Sequence, residues 1–126
     1  MTEQQTVWSI NESASIKSYT LINFRTIPQI QRMSKENQFE MEVVGNVLPF
    51  KTNNYVVEQL IDWDNIPKDP MFVLTFPQKG MLIPEHYDKM ASTLRSGADK
   101  KEIARVANDI RLQLNPHPAG QMELNV

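Results

Sequence analysis

His86 and His117 are the only histidines of the chain, and no cysteine accompanies them. A metal site needs clustered ligands at set spacings. HxxxH and HExxH are both absent, so each histidine reads as a surface or capping residue. Asp62 and Asp64 flank Trp63, with Glu58 one turn earlier. A carboxylate pair can divide acid–base work when burial separates the two pKa values. More often such a pair caps a turn and faces water. Lys100, Lys101, Arg105 and Arg111 lie close together, but Asp99, Glu102 and Asp109 interleave with them. That is the pattern of a solvated helix face. The four glycines are isolated, so there is no phosphate-cradling loop, and no GxSxG elbow presents a nucleophile. No catalytic, cofactor-binding or metal-binding position is therefore assigned within this chain.

The totals narrow the class further. A chain of 126 residues suits one domain. Its thirteen basic and fifteen acidic residues give a net charge of −2. That balance speaks against a nucleic-acid binder, which concentrates basic residues on one face, and against electrostatic membrane docking. The absence of cysteine excludes disulfides, thiolate zinc sites and a cysteine nucleophile within this chain. The start, Met-Thr-Glu-Gln-Gln-Thr, lacks the basic and apolar run of a secretory signal. The longest apolar run, Met71 to Leu74, is far shorter than the roughly 18–20 residues of a membrane span. A cytoplasmic location is the default expectation.

The expected fold is mainly α, with four to five helices, one short extended segment near 71–76 and an incomplete strand at the C-terminus. Residues 1–12 read as a loose arm, and 13–126 as a helical region. Ile16 to Phe24 fits neither the helical nor the strand period. Thr26-Ile-Pro-Gln offers a cap, a first-turn proline and a capping-box glutamine, predicting a short helix to about Met33. Ser34 caps a second helix to about Leu48, with Met41, Val43, Val44, Val47 and Leu48 on one face. Thr52 or Asn53 caps a third helix to about Asp62, whose buried stripe is Tyr55, Val56 and Leu60, extended by Trp63. Pro67 and Pro70 hold the following residues extended. Pro84 opens a fourth helix with Tyr87, Met90, Ala91 and Leu94 on its inner face, and Glu85 and Lys89 spaced to pair. Ser96-Gly97 stops it. Asp99, boxed by Glu102, caps a fifth helix with Ile103, Val106, Ala107, Ile110 and Leu114 inward and Leu112 outward. Met122, Leu124 and Val126 begin a period-2 pattern.

The run Leu48 to Pro70 resembles the N-terminal region of lysine 2,3-aminomutase-like radical S-adenosylmethionine proteins. In that family a helix with a Tyr…Leu-Ile-Asp pattern leads into an Asp-Asn-x-Pro-x-Asp-Pro loop and a short apolar segment ending in proline. Here these are Tyr55, Leu60-Ile61-Asp62, Asp64 to Pro70 and Met71 to Pro77. The stretch from Leu114 to Gln121 resembles the residues just before the family's barrel. The family's CxxxCxxC motif, which would follow this region, is absent. So is the more distant lysine that holds pyridoxal phosphate in members that use it. No site residue carries over.

The resemblance implies the helical N-terminal portion of an isomerase that moves an amino group on lysine or a related amino acid by radical chemistry. This portion would contribute packing and assembly rather than chemistry. A [4Fe–4S] cluster, S-adenosylmethionine and, in some members, pyridoxal phosphate would belong to the parent. Its partners would be the missing C-terminal barrel and further copies of the chain, with neither nucleic acid nor membrane. The alternative is a self-standing helical protein-interaction module without catalysis. A third reading, a small enzyme, would need His86, His117 and the Asp62/Asp64 pair to converge in one pocket.

Overall fold

The computed structural model describes residues 16–114. Among them the chain is mainly helical, as the periodicity predicts, with one two-stranded antiparallel sheet. The described residues fall into two compact units. One comprises 16–33 and Phe50–Phe76, the other Ser34–Pro49 and 77–114.

In the first unit the unreadable stretch after Ile16 is a strand too short to show a period. Strand β1 (Ser18–Thr20) pairs with β2 (Lys51–Asn53), Tyr19 opposite Thr52. Those two side chains are buried and their strand neighbours are not. Asn54 fixes the end of the pairing: its Oδ1 accepts from the Lys17 amide at 2.9 Å, and its own amide donates to the Lys17 carbonyl at 3.0 Å. Asn23 closes the other end, accepting from the Thr20 amide and donating to the Ser18 carbonyl. A 3-10 turn (Phe24–Thr26) follows, then helix α1 (Pro28–Gln31). Thr26 is not its cap, since its hydroxyl donates to the Asn23 carbonyl at 2.7 Å. Ile27 holds the cap position in extended geometry, as a residue before proline must.

The third predicted helix is present but shorter and wound differently. Lys51–Asn53 is strand, Asn53 Oδ1 accepts from the Val56 amide at 3.0 Å, and Val56–Leu60 is π-helical. The Ile61 amide closes it on the Val56 carbonyl at 3.2 Å. The wider turn moves the buried face. Val57 and Ile61 are inside, whereas Tyr55 and Leu60, expected in the core, are exposed.

The segment expected to be extended near 71–76 is a helix, α3 (Pro70–Thr75). Asp69 is its cap, and Oδ2 accepts from the Phe72 amide at 3.0 Å. Pro70 pushes Asp69 out of the α region, which is the geometry an N-cap adopts, and itself sits at the first helical position. Phe72 and Phe76 turn inward against Trp63 at ring distances of 5.7 and 6.2 Å, and Phe76 also meets Phe50 at 5.8 Å. Asp69→Ala is expected to cost about 1–2 kcal/mol in a urea titration, and Asp69→Asn only a few tenths, because asparagine caps as well as aspartate.

In the second unit three helices bury one core. Helix α2 (Lys35–Val47) starts at Ser34, whose Oγ accepts from the Asn37 amide at 3.0 Å. Helix α4 (Pro84–Arg95) has Pro84 at its start and ends before Gly97. Gly97 takes φ +76, where other residues are strained. Helix α5 (Lys100–Leu114) is capped by Asp99, whose Oδ1 accepts from the Glu102 amide at 2.9 Å. Val43, Val44 and Val47 of α2 meet Tyr87, Met90 and Ala91 of α4 and Val106, Ala107 and Ile110 of α5. The predicted faces of all three helices are those observed, except that Leu114 is exposed. The expected strand at Met122–Val126 and the arm at 1–12 lie outside the described residues.

Candidate functional site

His86, expected as a surface or capping residue, is buried. It is the third residue of α4, 7% exposed, and its Nε2 lies 3.0 Å from Gln113 Oε1 on α5. Nδ1 is also buried and has no hydrogen-bond partner among the described residues. Periodicity could not reveal this, because the partner is on another helix. His117 lies outside the described residues. Among the described residues no group of three or more His, Cys, Asp or Glu is placed to hold a metal ion.

Asp62 and Asp64 stay together as a turn and face solvent. Asp62 Oδ1 accepts from the Asp64 amide at 3.1 Å and caps the 3-10 turn Trp63–Asn65. Trp63 between them donates its indole N–H to the Val57 carbonyl at 2.8 Å. Glu58 is exposed. This is the turn-capping arrangement that the spacing suggests.

The basic residues of α5 divide by task. Arg105 is held between Glu102 at 2.6 Å and Asp109 at 2.9 Å. Its hydrogen bond to Glu102 holds that carboxyl below its ordinary value. Both Glu102 carboxylate oxygens accept from Arg105, at 3.0 and 2.6 Å. Lys100 and Lys101 are exposed. Arg111 reaches the last turn of α2, where Nη1 donates to the Val47 carbonyl at 3.0 Å and the Asn46 carbonyl at 3.3 Å. A cation there satisfies helix-end carbonyls and favours the negative end of the helix dipole.

A concave feature among the described residues of the second unit is an open groove of about 600 Å³ beside the start of α4, lined by Lys79, Leu82, Ile83, Pro84, Tyr87 and Asp88. The 3-10 turn Lys79–Met81 forms one side. Tyr87 is 6% exposed, and the Lys79 ammonium sits 4.9 Å from its ring centre.

No family model, curated protein or solved structure matches the chain.

Burial, and then the Glu40 carboxylate, hold the Tyr87 phenol above its ordinary value of 10.0; Arg95 opposes them, while Glu36 and Asp88 add to the rise. The folded chain therefore keeps this proton more tightly than the unfolded chain. The resulting stability is complete below about pH 10 and is lost as pH rises through the folded value. Tyr87→Phe is expected to flatten the alkaline fall of the urea midpoint above about pH 10. A fall of unchanged steepness would place the alkaline sensitivity elsewhere.

Sequence reasoning used Tyr87 only as a core residue and gave Lys79 and Asp88 no part. The groove brings Lys79, Tyr87 and Asp88 together with the apolar Leu82, Ile83 and Pro84.

Proposed function

We propose that this chain is the helical N-terminal portion of a radical S-adenosylmethionine isomerase similar to lysine 2,3-aminomutases, and that it contributes packing and assembly rather than chemistry. The observation that supports this reading is the run from Asp62 to Pro77, which also carries the resemblance. Its polar residues are used as turn and helix caps: Asp62 caps the turn, the Asn65 carbonyl accepts from the Lys68 and Asp69 amides, and Asp69 caps α3. Its apolar residues Phe72 and Phe76 are buried. Such a run has a reason to keep its residue types without touching a substrate. The cluster, S-adenosylmethionine and any pyridoxal phosphate are proposed for the parent, outside this chain.

A second reading, a self-standing helical interaction module, is favoured by the core shared by α2, α4 and α5, which buries most of their apolar faces within one unit. The two readings differ at the end of α5, where Leu112 and Leu114 are exposed. A portion that packs on missing structure is expected to self-associate or bind an apolar dye when purified alone. Leu112→Gln with Leu114→Gln should then reduce both effects. A dye-silent monomer in sedimentation would favour the module.

A further inference from the structure

We infer that Met81 is a reversible oxidation site, and that its sulfoxide tightens the turn it belongs to instead of breaking it. Met81 is the last residue of the 3-10 turn Lys79–Met81. At 43% exposure it is the most exposed methionine among the described residues. Met41 and Met90 are 3% and 0% exposed, and Met33 and Met71 are half-buried. Its sulfur is also engaged. The Gln78 amide, just before the turn, donates to Sδ at 3.5 Å, and the Met81 amide donates to the Gln78 carbonyl at 2.9 Å. The Met81 side chain thus stands where Glu or Gln stands in a capping box, reaching back to the amide before the turn. A thioether, however, is only a weak acceptor. Hydrogen peroxide reaching the exposed sulfur forms an S–O bond as its O–O bond breaks. The leaving hydroxide takes the proton of the transferred oxygen and departs as water, so sulfur is oxidised and peroxide reduced. In a core this conversion is disruptive, because a polar group replaces an apolar one. Met81 differs on both counts: its side chain meets water and faces a backbone donor. The unbranched side chain rotates freely about its bonds. The new oxygen can therefore turn to the Gln78 amide, where an oxygen acceptor binds at about 2.7–3.2 Å. The amide then has a strong acceptor in place of a weak one. The same turn carries Lys79, whose ammonium lies 4.9 Å from the Tyr87 ring centre, so its geometry shapes one wall of the groove. The site belongs to the second unit's own surface and does not depend on the parent enzyme's identity.

The test treats the full chain with hydrogen peroxide, locates the sulfoxides by peptide mass spectrometry and follows the Gln78 amide by hydrogen exchange. Met81 is expected to oxidise about tenfold faster than the buried Met41 and Met90, and ahead of Met33 and Met71. Exchange at Gln78 should slow by about threefold in the oxidised chain, the scale of one ordinary hydrogen bond. It should recover when the two methionine sulfoxide reductases, one for each epimer, restore the thioether. Met81→Gln offers an amide oxygen at the same position and is expected to slow Gln78 exchange without oxidant. Met81→Leu offers no acceptor and is expected to speed it and to abolish the response to peroxide. Equal oxidation rates at Met81, Met41 and Met90, Gln78 exchange that is unchanged or faster after oxidation, or the same peroxide response in Met81→Leu would each overturn the inference.

Discussion

Phe72→Ala is expected to cost about 3–5 kcal/mol, against a total stability of roughly 5–15 kcal/mol for an ordinary domain. Phe72 is 1% exposed, with its ring 5.7 Å from Trp63 and 5.6 Å from Phe76. Removing it deletes buried surface, leaves a cavity and breaks two ring contacts. The informative control is Leu74→Ala. In an extended segment Leu74 would share a face with Phe72 and Phe76. In α3 it points away and is 81% exposed, while Phe72 and Phe76 are one turn apart and both buried. Leu74→Ala is therefore expected to change stability by less than about 0.5 kcal/mol. Urea unfolding followed by tryptophan fluorescence and by circular dichroism gives both values. Equal losses at Phe72 and Leu74 would support the extended segment and contradict the helix.

Ile110→Ala is expected to cost about 2–5 kcal/mol, and Leu112→Ala, two residues on, to be close to neutral. Ile110 is fully buried among the residues of α2, α4 and α5, while Leu112 is 59% exposed on the same helix. The difference between these two substitutions measures the rotational phase of α5. A large loss at Leu112 would mean that this face is covered in solution, by a second copy or by a partner.

The elements that were legible in the sequence have a local chemical reason at each end. Ser34, Pro84, Gly97 and Asp99 each mark a helix boundary of the second unit, and each does there what its side chain or backbone allows. Asp69-Pro70 reads as extended in the sequence and is a helix start in the structure. A proline that keeps its predecessor extended also makes that predecessor a helix cap. Six residues show too little period to choose, and only the burial of Phe72 and Phe76 against Trp63 decides. The π-helical turn at Val56–Leu60 escaped because a single extra residue per turn rotates the face without changing residue types. Strands of three residues leave no period to read. In the candidate site, the burial of His86 depends on Gln113 of another helix, and the groove depends on Lys79 meeting the Tyr87 ring. Neither contact has a spacing in the chain.

The measurement that bears most directly on the proposed role is the sequence of the coding DNA beyond the Val126 codon. The account predicts an open frame that continues into a CxxxCxxC stretch, which would supply the cluster ligands this chain lacks. A stop codon following at once, together with a folded, monomeric purified chain, would contradict it and leave the helical interaction module as the reading to pursue.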